Sequence, residues 1–248
     1  ENSDATVRAR VIPLQTWLDD VEVSAGTLIL IRDLTELRDR DRQLVTKDAT
    51  IREIHHRVKN NLQTVAALLR LQSRRMSNSD AKDALKQAMG RVSAIAVVHE
   101  ILSQNFEEQV AFDEVADRIL HMVGDVAASS GSVVARREGS FGEVPAETAT
   151  ALSLATTELC QNAIEHSLDS SSGNVIVRPH RTDDALVVDI VSDGKPLPEG
   201  FSLDNHRSSL GLSIVTTLMQ DLGGTFTLED NSDRVGTCAR LVIPLQRL

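Results

Sequence analysis

The sequence has 248 residues, enough for two or three modules of ordinary size and a substantial buried core. Its formal charge is −10 and only 2% of its residues are aromatic, with no Tyr; this argues against nucleic acid as a partner, because polyanions need clustered Lys and Arg and unpaired bases need stacking rings. Cys160 and Cys238 stand apart without CxxC or Cys/His spacing, which excludes a zinc centre or a disulfide framework as a reading.

Residues 7–31 carry a strand pattern, VRARVIPL followed by the apolar run Thr27–Ile31, with a turn expected at Gly26. Two or three strands do not make a stable domain, so the segment reads as the tail of a sensor domain. From Leu37 the period changes to a heptad: Leu37, Leu44, Ile51, Val58 and Val65 lie seven apart, with Leu62 and Leu69 between them, which predicts one long helix to about Met76. Ser77–Asp80 is a turn and cap. A second helix follows, with Ala81, Leu85, Ala88, Val92, Ile95, His99 and Leu102 alternating 4,3. Two such helices form an antiparallel hairpin whose apolar seam is buried most simply by a second copy, as a four-helix bundle in a homodimer.

After about Phe106 the pattern becomes α+β. Helical spacing at 112–129 and 145–168 alternates with strand-like segments at 174–181, 185–192, 225–230 and 237–244. Between 193 and 211 lies a long stretch rich in Gly, Pro and Ser, of the kind that serves as a lid or binding loop. No apolar run reaches the roughly 18–20 residues of a membrane span and the N-terminus is no signal peptide, so no membrane partner and a cytoplasmic location are expected.

Three constellations can carry chemistry. The first is EIHHRVKNNLQ on the long helix. Neutral imidazole is a competent nucleophile near pH 7. The heptad register turns His55 toward the seam and His56 to the flank, with Asn60 one turn below His56; paired histidines in a bundle also simply pack and hydrogen-bond. The second is ELCQNAIEH, where Glu158 and Asn162, at i and i+4, project from one helix face. An amide oxygen there can ligate Mg²⁺ and a carboxylate can position water, although one such pair is more often a solvated face. The third comprises SDGKPLP and, beyond the loop, SLGLSIV opening a helix that ends at Leu222-Gly-Gly. A Gly at a helix N-terminus lets backbone N–H groups approach phosphate oxygens. No P-loop pattern occurs, and Gly223-Gly224 reads as a helix C-cap.

In this order and spacing the pieces resemble a known family. HRVKNNLQ resembles the phosphoacceptor helix of the second histidine-kinase dimerisation subfamily, related to the HWE kinases, with the actinobacterial PdtaS-like sensors as the nearest group. ELCQNAIEH resembles the N box of GHKL-type ATPases, SDGKPLP the first glycine box and SLGLSIVTTLMQDLGG the second; Asp33-Leu-Thr35 is similar to the signature that closes PAS domains. The resemblance implies three regions: a PAS-like remnant at 1–36, a dimerisation and phosphotransfer hairpin at 37–106, and a GHKL α/β-sandwich binding ATP at 107–248. It implies a sensor kinase that phosphorylates His56 with Mg²⁺ and ATP, then passes the phosphoryl group to a response regulator receiver domain. A nucleotide-binding scaffold or phosphatase of the same fold is the alternative. Residue by residue it assigns catalysis to His56, Glu158 and Asn60, metal binding to Asn162, and nucleotide binding to Asn162, His166, Asp193, Gly194, Gly211, Leu212 and Thr237. Three departures stand out: the first box reads S-D-G-K-P in place of D-x-G-x-G, which leaves the adenine-reading acid displaced to Asp193 or absent; Pro196 replaces its second Gly; and Ser209 replaces another. No acidic residue follows His56, so the usual neighbouring base is absent and Glu53, one turn earlier, is only a candidate for that role.

Overall fold

A computed structural model of the protein describes residues 6–18, 21–104, 109–128, 132–168, 172–203, 210–232 and 235–245. The chain packs as two units, Glu1–Arg52 and Glu53–Leu248.

In the first unit, β1 (Val7–Leu18) and β2 (Val21–Asp33) form an antiparallel ribbon. The expected Gly26 turn is not a turn. Gly26 lies inside β2 opposite Leu14, with φ near +140°, and Gln15 pairs with Ser24, so Ala25 is the extra residue of a β-bulge. Asp33 ends β2 and accepts hydrogen bonds from the Thr35 amide and hydroxyl at 2.9 and 2.6 Å, while the Thr35 hydroxyl accepts one from the Thr6 amide. The Thr35 hydrogen bonds hold the Asp33 carboxyl below its usual range. A carboxylate and a hydroxyl are thereby satisfied at the start of α1 (Thr35–Arg75), the 41-residue helix that the heptads predict.

The second unit begins within α1, at Glu53, and from there α1 forms a hairpin with α2 (Ser79–Gln104). Asn78 accepts hydrogen bonds from the Asp80 and Ala81 amides and caps α2. Besides the seam toward α1, α2 has a second 4,3 series, Gln87, Arg91, Ala94, Val98 and Ile101, whose last three members are buried. That face packs on α4 (Ala146–Asn162), which follows the short strand β5 (Glu143–Pro145) and continues as a π-turn at Ala163–Ser167.

The sheet has the order β4-β6-β7-β9-β8, with β4 (Ser132–Arg137) parallel to β6 (Ser172–Arg181) and β7 (Ala185–Ser192), β9 (Thr237–Pro244) and β8 (Thr225–Asp230) paired antiparallel. The short strand β3 (Gln109–Ala111) pairs with β5 and leads into α3 (Phe112–Ala128). Helices α3, α4 and α5 (Leu210–Asp221) pack against one another and the sheet. Phe112 and Phe141 meet edge to face at 4.8 Å in the core beneath α3. Strand β7 buries alternate residues, Leu186, Val188, Ile190 and finally Ser192. Among the described residues no helix is long and apolar enough to cross a membrane.

Candidate functional site

The heptad register of α1 separates the two adjacent histidines in space. His55 is half-buried, and its Nδ1 lies 3.0 Å from Nδ1 of His99 on α2, so one ring donates and the other accepts. Burial first, and the neighbouring ring second, lower the pKa of both: His56 acts on His55, and His55 on His99. His56 is exposed on the outer flank, and Asn60 is exposed one turn further on. Glu53 accepts a hydrogen bond from Arg57 at 2.8 Å and is engaged along its own helix. One turn beyond the His pair, Lys59 bonds Glu100 at 2.9 Å, and Arg118 of α3 reaches the other Glu100 oxygen at 3.5 Å.

The second cluster lies where α4 meets α5. Glu158 is only 3% exposed. Both its oxygens are taken by Arg91 of α2, Nε to Oε1 at 2.6 Å and Nη2 to Oε2 at 2.9 Å, a fork that raises the Arg91 pKa above its usual value. Gly211, buried in the first turn of α5, faces them: a Cβ there would stand 2.7 Å from Glu158 Oε2 and 3.5 Å from Asn162 Nδ2. That Asn162 nitrogen is buried with no hydrogen-bond partner, an orphan that ordinarily signals an absent ligand or water. Leu212, next to Gly211 in sequence, is buried, and His166 is exposed in the π-turn. Glu165 accepts a hydrogen bond from Gln87 of α2 at 3.2 Å.

At the end of β7 the first glycine box makes two separate sets of contacts. Ser192 continues the buried alternation, and its hydroxyl lies 2.9 Å from that of Thr237 on β9. Asp193, one residue on, is exposed and accepts hydrogen bonds from the Asn174 amide at 2.7 Å and side chain at 2.6 Å; it borders a hollow lined by Arg136, Ile176 and Arg178. Alternation along a strand sends neighbours to opposite faces. Ser192 and Thr237 thus meet as a hydroxyl pair on the buried side, whereas Asp193, just past the strand, reaches Asn174 at the edge of a hollow that Ser192 also lines. Gly194 follows in the bend. Gly236 approaches so closely that a Cβ on it would lie 2.0 Å from the Ser192 carbonyl oxygen, which ties the β9 turn to this strand end. Ser209 and residues 204–209 of the loop lie outside the described residues.

The structure thus brings Glu158, Asn162 and Gly211 together and puts His56 on a separate, exposed flank. Sequence reasoning missed Arg91 and Gln87. Their signal was the second 4,3 series on α2, in which an Arg and a Gln continue a line of small apolar residues.

Two family models match. Residues 53–127 match the one described as histidine kinase, and residues 147–247 the one described as histidine kinase-, DNA gyrase B- and HSP90-like ATPase. The chain is 49% identical over 246 residues to sensor histidine kinase PdtaS of Mycobacterium tuberculosis, covering 98% of this chain and 48% of that protein. It is 48% identical over 227 residues to its namesake in Mycolicibacterium smegmatis, covering 90% and 45%. The chain spans about half the length of these curated relatives. A solved histidine kinase domain from an Erythrobacter litoralis blue-light activated histidine kinase superposes with a TM-score of 0.57 at 26% identity, over 84% of this chain and 94% of that one. The hairpin and the ATPase-type sandwich, matched in this order along one chain, make it a member of the histidine kinase family.

Proposed function

We propose that this chain is the core of a two-component sensor kinase that phosphorylates its own His56 from ATP and passes the phosphoryl group to an aspartate of a response regulator receiver domain. The observation that carries the proposal is the buried, unpartnered Nδ2 donor of Asn162 set against Gly211 at the start of α5. A Cβ would fill the space there, and a helix N-terminus supplies N–H donors for phosphate oxygens.

Mg²⁺ fits this corner, because a hard cation takes oxygen ligands, which the Asn162 amide and a triphosphate both present; bound there, it neutralises charge on the phosphates. The Asn162 amide oxygen would hold it, and the first turn of α5 would hold the phosphates. Ser192 and Thr237 form a buried hydroxyl pair that we assign to the purine, in preference to Asp193. Neutral His56 supplies its lone pair in line: an N–P bond forms, the bond from the γ-phosphorus to the ADP oxygen breaks, and the imidazole N–H proton is released. Asn60 orients the incoming phosphoryl oxygens. Among the described residues Glu158 is the one buried carboxylate beside the cradle and, once released from Arg91, is the base we assign to that proton.

We infer a homodimer through the hairpin, residues 37–106, with 107–248 as the catalytic region. Ile51, Ile54, Val65, Leu68 and Leu71 remain exposed on α1, an apolar stripe that a second copy would cover. Residues 1–36 we read as the end of a PAS-like sensor domain, in keeping with the exposed Val7, Val11, Leu28, Ile29 and Ile31 of the ribbon. The kinase reaction is assumed to take place in the cytoplasm, where ATP is supplied.

The test is incubation with γ-labelled ATP and Mg²⁺, scored for label that survives base and is lost in acid. His56→Gln should retain ATP binding and lose all such label; His55→Gln should keep part of it. Full labelling of His56→Gln would refute the assignment of the nucleophile.

A further inference from the structure

Helix α2 grips the catalytic region at Glu158 of the cradle and at residues flanking it. Gln87 bonds Glu165, Arg91 takes both oxygens of Glu158, and Gly90 is close enough to α4 that a Cβ would stand 2.6 Å from Gln161 Nε2. Below them Ala94 and Val98 are fully buried. Two features set this arrangement apart from one poised for phosphoryl transfer. The guanidinium fork occupies one lone pair on each Glu158 oxygen, and at 3% exposure the carboxylate is shut off from bulk water while the fork holds. The hairpin register also separates the partners. His55 lies level with His99, and Arg91 is eight residues from His99 along α2, so the cradle is docked about 12 Å along the hairpin axis from the level of His56.

We propose that Arg91 is a latch: from the hairpin it holds Glu158 and the docked catalytic region in a resting state, and opening the Arg91–Glu158 pair is a step that precedes phosphorylation of His56. The proposal rests on the kinase reading above. It gives Arg91 a positioning role, exerted through Glu158, and it makes movement within the hairpin a control over the catalytic carboxylate. An ion pair suits this role better than apolar contact, since each charge regains its hydration when the two separate.

The experiment compares the wild-type chain with Arg91→Met and Arg91→Lys. Initial rates of base-stable labelling are measured at saturating and limiting Mg·ATP, alongside amide hydrogen exchange of residues 155–163 without nucleotide. Arg91→Met should raise the rate at saturation by about three- to tenfold, as when the weight of a resting state is lowered, and should speed exchange in that segment. Arg91→Lys, which keeps the charge and loses the fork, should fall between the two proteins in both measurements. The reverse perturbation uses Gln87→Cys with Glu165→Cys in a Cys238→Ser background. Oxidation across the two new thiols should suppress labelling, and reduction should restore it. A rate for Arg91→Met equal to or below that of the wild type, or full labelling by the oxidised double-cysteine protein, would overturn the latch. If the kinase reading itself fails, no protein in the set takes up label, while hydrogen exchange still reports whether Arg91 holds the segment.

Discussion

Gly211→Ala tests the geometry of the cradle through a conflict between two known quantities. In the interior of a helix, Ala is favoured over Gly by about 1 kcal/mol. Against this, the new methyl would stand 2.7 Å from Glu158 Oε2, about 0.7 Å inside ordinary van der Waals contact at 3.4 Å. The oxygen cannot swing aside, because Arg91 holds both ends of the carboxylate and Glu158 is buried. Either the pair breaks, at a cost of about 3–5 kcal/mol for a buried pair, or α5 moves. The net loss is about 2–4 kcal/mol, or about 4–16 °C in melting temperature for a unit of this size. Gly124→Ala is the matched control: it too is in a helix, but a Cβ there meets nothing within 4 Å, so it should gain up to about 1 kcal/mol. Calorimetric melting of both variants, with titration of a non-hydrolysable ATP analogue, checks the reasoning. A Gly211→Ala protein that melts at or above the wild type and binds the analogue normally would show that the corner is not packed as described.

Three further outcomes are expected. The pKa values of His55 and His99 are both lowered by burial, so the pair favours the neutral form when folded; its stabilisation is fully present above the unfolded pKa near 6.5 and is lost as pH falls through that value toward the folded ones. With Lys59 and Glu100 as the charged neighbours one turn away, the melting temperature of the wild type should fall more steeply between pH 7.5 and pH 5.5 than that of His99→Gln, and equal slopes would rule out the pair as the cause. Ser192→Ala should weaken binding of the ATP analogue more than Asp193→Asn does, since Ser192 faces Thr237 and Asp193 faces Asn174; calorimetric titration giving the opposite order would return the purine contact to Asp193. Leu68→Glu, placed on the exposed stripe of α1, should convert the dimer to a monomer in sedimentation at micromolar concentration, and a folded wild-type monomer there would remove the basis for the dimer.

Much of this protein is written in periodicity. A heptad that runs from Leu37 to Leu69 can only be a long helix, and it also decides that His55 looks inward while His56 looks out, because neighbouring residues on a helix are about 100° apart. Strands 185–192, 225–230 and 237–244 end where the sequence places them, since alternation and turn residues are local signals. The short strands β3, β4 and β5 escaped notice: three to six residues are too few to show a period, and they pair with segments far along the chain. The Gly26 turn failed for a related reason, as a positive φ serves a bulge as well as a turn, and only the partner strand decides which. Motif order was enough to single out Glu158, Asn162 and Gly211, but not what holds them. That Arg91 takes both oxygens of Glu158 across 67 positions, that Ser192 meets Thr237 while Asp193 meets Asn174, and that Asn162 Nδ2 keeps no partner are facts of tertiary packing. Local sequence determines each element and the face it presents; which faces meet is set by burying all of them at once, and the ion pairs and orphaned groups that govern a site arise only there.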